Sequence, residues 1–171
     1  LIDTAVTQVL AEITSHGSEE GLTSALGHAL SRRSISTPDL RVDFRYRQHN
    51  KITEEPSSGA DGGFVVRVKT IEATTEKVAL IQAKLLRGEG DIRSLSMSKA
   101  DADRLRKQAM EMLKHTGERV AMFYTWKNIY VVDALDYQID DPLASRTPLS
   151  QSHRLITLGT YLGKWIPRCT K

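Results

Sequence analysis

The chain has 171 residues, 40% of them hydrophobic and 26% charged, which suits a single soluble α/β domain with a sizeable core and leaves little material for a second. Aromatics at 6%, with 11 glycines and 5 prolines, exclude both a low-complexity disordered chain and a fibrous one. Net charge is +3, from 24 basic and 21 acidic side chains, a modest excess that raises a polyanion partner without establishing one. The single cysteine, Cys169, excludes an intramolecular disulfide framework and a thiolate-rich zinc site, and it fits a reducing, cytoplasmic compartment. No apolar run approaches the roughly 18 residues of a spanning helix, so a membrane role is not expected. The chain opens on Leu1 rather than Met, as a processed chain or a domain cut from a longer protein would.

Ile2, Val6, Val9, Leu10 and Ile13 recur at helical steps and predict a first helix that Gly17 stops. Ser18 then reads as the N-cap of a second helix, with Glu19 and Glu20 in its first turn and an apolar stripe from Leu22 to Leu30, running to about Arg33. Pro38 breaks the pattern, and residues 41–47 alternate as a half-buried strand. Residues 54–59 read as a loop. Residues 64–70 and 77–86 read as strands joined at a polar turn over 72–76. A helix without an evident cap follows over 99–115. Strands over 120–124 and 129–132 are joined at Trp126-Lys127-Asn128, and a last helix covers about 150–165. The order α, α, β, β, β, α, β, β, α predicts an α/β fold, a central mixed β-sheet flanked by helices.

Chemistry converges on the hairpin. Gly59-Ala60-Asp61-Gly62-Gly63 opens its first strand and Gln82-Ala83-Lys84 closes its second, so antiparallel pairing brings Asp61 to the end that carries Gln82 and Lys84. Those two share a strand face, while Ile81, Ala83 and Leu85 take the other. The Asp61 carboxylate, the Gln82 amide oxygen and the Ala83 main-chain carbonyl are oxygen donors suited to a hard cation such as Mg²⁺, and Lys84 supplies positive charge for a phosphate or a water. Helical phase puts Glu19 at the edge of the buried stripe and Glu20 on the far side, which makes Glu19 the fourth candidate. The alternative for both acids is compensation of the helix dipole.

Glu19, Asp61, Gln82 and Lys84 together resemble the PD-(D/E)XK, restriction-endonuclease-like nuclease superfamily, in its Gln-x-Lys variants such as Mrr-type restriction enzymes. The resemblance covers about residues 18–132 as an α-β-β-β-α-β core, with a C-terminal extension over about 137–171, in one nuclease-like domain spanning 1–171. It implies a Mg²⁺-dependent nuclease (Mn²⁺ substituting) that hydrolyses DNA phosphodiester bonds, most simply an endonuclease in restriction or antiphage defence. Glu19, Asp61, Gln82 and Ala83 would hold the metal, and Lys84 would assist catalysis. Many such nucleases act as dimers, and related domains are fused to other modules, so the resemblance admits a homo-oligomer and a fused or associated ATPase or sensor module. Two departures stand out: Gln82 replaces the commoner carboxylate, and no proline precedes Asp61.

Arg41, Arg45, Arg47 and Lys51, in a basic stretch, and Arg87, beyond the hairpin, are the candidate nucleic-acid contacts; a solvated strand face explains the stretch equally well. His16, His28, His49, His115 and His153 show no metal-like pairing and read as surface or cap residues. Two further readings stand beside the nuclease. One is a non-catalytic nucleic-acid-binding or assembly domain on the same fold; the other is a structural role for the polar cluster, with Asp61 capping a turn and Lys84 snorkelling.

Overall fold

The computed structural model describes residues 6–7, 11, 18–32, 34–86, 96–125, 127–133, 146–148 and 155–165. Of the first predicted helix, Val6, Thr7 and Ala11 are described and helical, and Val6 joins the core. Helix α1 (Glu19–Ser31) begins where the sequence places its cap: Ser18 is extended and its Oγ accepts from the Gly21 amide at 3.1 Å.

Seven strands form one mixed sheet. These are β1 (Ser34–Ser36), β2 (Leu40–Gln48), β3 (Gly62–Thr70), β4 (Thr74–Leu85), β6 (Arg119–Tyr124), β7 (Ile129–Asp133) and β9 (Ile156–Thr157), in the order β1-β2-β3-β4-β6-β7-β9. Every neighbouring pair is antiparallel except β4 and β6, which are parallel and joined through α3 (Lys99–Leu113). A separate pair is formed by β5 (Ser96–Ser98) and β8 (Arg146–Pro148). Helices flank both faces of the large sheet. Leu22, Leu26 and Leu30 of α1, with Leu158, Leu162 and Trp165 of α4 (Leu158–Trp165), cover Val42, Phe44, Val66, Ile81, Ala83 and Met122. On the other face, Ala102 and Leu105 of α3 cover Phe123 and Val132, and Ala109 and Met112 cover Ala60 and Leu80.

Four local expectations are corrected. Residues 54–59 are not simply loop: α2 (Glu55–Ser58) is a single helical turn with Pro56 near its start, where the missing N–H goes unneeded. The hairpin turn sits earlier than 72–76, because β-branched Thr74 and Thr75 extend β4; Thr70 closes the turn by donating its amide to the Ala73 carbonyl at 2.8 Å. Helix α3 is capped after all, with Ser98 Oγ accepting from the Asp101 amide at 3.1 Å. The last helix is shorter than predicted, since Ile156 and Thr157 pair with β7 before α4 begins.

What positions the site is a mismatch of strand lengths. The register of β3 with β4 starts at Gly62 opposite Ile81, whereas β4 stays paired with β6 out to Leu85 opposite Tyr124. The last four residues of β4 therefore lack a β3 partner, and odd-numbered backbone groups there face the opening. Gly59, at φ 70°, caps α2 and turns the chain toward Asp61; a Cβ there would lie 2.2 Å from the Gln108 carbonyl oxygen.

Candidate active site

Two carboxylates fill the positions that β3 vacates. Asp61 Oδ2 accepts from the Ala83 amide at 2.7 Å, and Glu19 Oε1 accepts from the Leu85 amide at 3.0 Å. Asp61 is fixed at both main-chain ends as well: its amide donates to the Ile81 carbonyl at 2.9 Å, and its carbonyl accepts from the His49 amide at 2.9 Å. Glu19 is placed by the first turn of α1, which is tied to the sheet by Thr23. The Thr23 hydroxyl donates to the Glu19 carbonyl at 2.7 Å and accepts from the buried Tyr124 hydroxyl at 3.2 Å. Tyr124 stands opposite Leu85 across the parallel pairing, so helix and strand end are held in one register.

Gln82 and Lys84 share the sheet face toward α3, while Ile81, Ala83 and Leu85 pack toward α1 as alternation requires. Gln82 is 1% exposed and donates through Nε2 to Asp61 Oδ2 at 2.8 Å. Its Oε1 is buried with no hydrogen-bond partner. A buried amide oxygen in that condition forfeits a hydrogen bond's worth of free energy, so it marks either strain or a ligand position. The Ala83 carbonyl leaves β4 on the edge that carries its amide, toward the Asp61 carboxylate. Lys84 is 9% exposed, and its Nζ lies 3.4 Å from Glu19 Oε2. The carboxylate gives the buried ammonium a counter-charge.

In front of this cluster lies a cavity of about 60 Å³, space for a couple of water-sized groups, lined by Glu19, Glu20, Thr23, Tyr46, Gln48, His49, Lys51, Glu55 and Asp61. Gln82 and Lys84 stand behind its wall, reached through their bonds to Asp61 and Glu19. The field is strongly negative. Burial raises the Asp61 carboxyl above its ordinary range despite the Ala83 and Gln82 hydrogen bonds and the Lys84 charge, and Glu19 pushes the same way. Burial, then the Asp61 charge, also raises Glu55. Among the described residues no three His, Cys, Asp or Glu side chains cluster tightly enough to chelate a metal by themselves. A cation here would draw on amide and main-chain oxygens as well as carboxylates.

The four residues singled out from the sequence are thus brought together as two linked pairs, Asp61 with Gln82 and Glu19 with Lys84. Glu20 is exposed, on the far side of the stripe as helical phase places it, yet it takes part in the cavity. It lines the cavity, accepts from Gln48 Nε2 at 2.8 Å and pairs with Lys51 at 2.6 Å. His49 also departs from a surface role, with Nδ1 at 2.9 Å from Ser58 Oγ and 3.1 Å from the Ala60 carbonyl, where it fastens α2 to the entry of β3.

The basic stretch divides. Arg41, Arg45 and Arg47 project from one exposed side of β2, but Arg41 pairs with Asp43 at 3.0 Å and Arg47 with Glu54. Arg41 lies opposite Lys69, six residues along β2 from Arg47, or roughly 20 Å at strand rise, and so stands well away from the cavity. Lys51 belongs to the cavity itself, and Arg87, like Cys169 and Trp126, lies outside the described residues. Sequence reasoning missed Glu55 and Tyr46. The available signal for Glu55 was Pro56, which favours a helical first turn over a loop; Tyr46 carries none beyond strand alternation.

No protein-family model, curated protein or solved structure matches the chain. Among the described residues no helix is long and apolar enough to cross a membrane.

Proposed function

We propose that the chain is a Mg²⁺-dependent nuclease that cleaves DNA phosphodiester bonds on a restriction-endonuclease-like core. The observation that carries the reading is the unpartnered, buried Gln82 Oε1 held beside the Asp61 carboxylate at the end of β4, two residues before a buried lysine. The succession α1, β2, β3, β4, α3, β6 supports the same core, with β4 and β6 parallel around α3.

Asp61, Gln82 Oε1 and the Ala83 carbonyl would be the oxygen donors to a hard cation, with Glu19, already engaged by Lys84 and the Leu85 amide, the further candidate. Such a cation, when bound, supplies charge neutralisation at the phosphate and a more acidic water. The chain's own contribution is placement. Asp61 is fixed by four hydrogen bonds, two at its carboxylate and two at its main chain. Lys84 is held beside Glu19 at the strand end, where its ammonium would oppose the negative charge that builds on a phosphate under attack. Cleavage of supercoiled plasmid and linear duplex in Mg²⁺, Mn²⁺ and EDTA tests the reading: metal-dependent nicking that Lys84→Ala abolishes is the expected result, and no cleavage in any condition overturns it.

A second reading is favoured by the absence of a three-acid cluster among the described residues and by the amide at position 82. It is a nucleic-acid-binding domain whose cutting site has lapsed. It predicts duplex binding indifferent to Mg²⁺ and to Asp61→Asn, with no cleavage.

A further inference from the structure

We propose that the Tyr46 hydroxyl is a substrate-contacting group of this site, donating a hydrogen bond to a non-bridging oxygen of the phosphodiester that the cavity takes. The inference rests on the nuclease reading for its ligand and on three independent features of the structure for its residue.

First, the ring is given a dedicated slot. Gly27 of α1 lies so close that a Cβ built on it would be 2.1 Å from Tyr46 Cδ1, and a Cβ on Gly62 would be 2.7 Å from the Tyr46 hydroxyl. Only glycine fits at either point, so helix and strand both yield volume to seat this side chain. Phe64 closes the slot from β3, its ring centroid 5.4 Å away in tilted contact. Second, the ring so held is a wall of the cavity, beside Glu20 and Asp61. Third, its hydroxyl is buried and has no hydrogen-bond partner.

Three neighbouring carboxylate oxygens are already engaged by other groups. Asp61 Oδ2 is taken by the Ala83 amide and Gln82 Nε2, Glu20 Oε1 by Gln48, and Glu20 Oε2 by Lys51. Burial and the charges of Asp61 and Glu20 keep the phenol protonated, so it remains a donor at any pH the protein experiences. A fold that needed Tyr46 only for packing would gain by carrying phenylalanine, since an unfilled buried hydroxyl costs free energy while the ring contacts do not depend on it. A phosphate oxygen would supply the acceptor that this hydroxyl does not have in the structure.

The test compares the wild-type chain with Tyr46→Phe in three measurements: thermal unfolding without ligand, single-turnover cleavage of a linear duplex in Mg²⁺, and anisotropy of a fluorescein-labelled duplex in Ca²⁺. The expected result is a melting temperature equal to or above wild type, with cleavage slowed roughly tenfold or more, the scale of one hydrogen bond to a charged acceptor, and duplex affinity weakened by about threefold to tenfold. A melting temperature lowered by several degrees with cleavage unchanged would make the hydroxyl a structural group and overturn the proposal. So would a variant equal to wild type in all three. Wild-type protein that neither binds duplex in Ca²⁺ nor cleaves it in Mg²⁺ overturns the nuclease reading itself, and this inference with it.

Discussion

Asp61 Oδ2 lies 2.7 Å from the Ala83 amide nitrogen, standing where the next residue of β3 would have paired had that strand continued. A carboxylate therefore does the work of a backbone carbonyl at the fork of the sheet, and Glu19 repeats the device two residues on at Leu85. The same two side chains hold the strand end and furnish the negative field of the cavity. Structural and chemical roles are fused in them, which decides which substitutions separate the two.

Asp61→Asn separates them. Both hydrogen bonds at the carboxylate fall on Oδ2, so an asparagine oxygen in that position keeps both while its NH₂ replaces Oδ1. We expect the variant to unfold at or above the wild-type temperature, because a carboxylate disfavoured by burial is removed, and to lose metal-dependent cleavage. Asp61→Ala leaves the Ala83 and Gln82 donors unmet and should cost about 1–3 kcal/mol of stability. Thermal denaturation of the two variants side by side checks the ordering.

The pH dependence of the metal-free protein follows from the same carboxyls. Asp61 and Glu55 are both raised above their ordinary values of 3.8 and 4.5, so the folded chain holds protons that the unfolded chain has released. Stability from these groups is present below those values and is lost as pH rises through their folded titration. In EDTA the protein should thus lose stability from about pH 4 upward across the acid range, and Asp61→Asn should flatten that decline. Urea midpoints measured in EDTA at half-unit pH steps report the slope directly.

Much of this was legible in the sequence because it rests on short-range rules. Ser18 as a cap, the period-two alternation that puts Gln82 and Lys84 on one face, and the hairpin that carries Asp61 to them are all set by neighbours a few residues apart. Glu20's part in the cavity was not legible because helical phase describes where a residue leaves the helix, and says nothing of Lys51 and Gln48 arriving from β2 and the turn after it. Tyr46 was silent for a related reason: its slot is made by Gly27 and Gly62, which lie 19 and 16 residues from it, and pattern within one strand does not register such contacts. Ser98 as a cap was hidden by the glycine- and serine-bearing connection before it, which obscured where α3 begins.

Glu19 distinguishes charge from hydrogen bonding at the strand end. Glu19→Gln retains an acceptor for the Leu85 amide but removes the counter-charge of the buried Lys84, whereas Glu19→Ala removes both. The Glu19 side chain is 40% exposed, so solvent tempers the ion pair. We expect Glu19→Gln to lose less than about 1 kcal/mol and Glu19→Ala about 1–3 kcal/mol by chemical denaturation. Restoring stability to Glu19→Ala with Lys84→Met would show that the stranded ammonium, rather than the lost cap, carried the larger penalty.

The basic strand face yields a sharper expectation than its charge count suggested. Arg41 and Arg47 are each met by an acid, while Arg45, between them on the same exposed side of β2, has no acidic partner among the described residues. An arginine already paired must give up its carboxylate to meet a phosphate; Arg45 gives up only water. Arg45→Ala should therefore weaken duplex binding more than Arg41→Ala, and if Arg45 contacts one phosphate it should lower the slope of log affinity against log salt by about one. Fluorescence anisotropy in Ca²⁺ from about 50 to 200 mM salt measures both quantities. Equal slopes for wild type and Arg45→Ala would remove this face from the nucleic-acid contact and leave Lys51, at the cavity mouth, as the cation that meets the backbone.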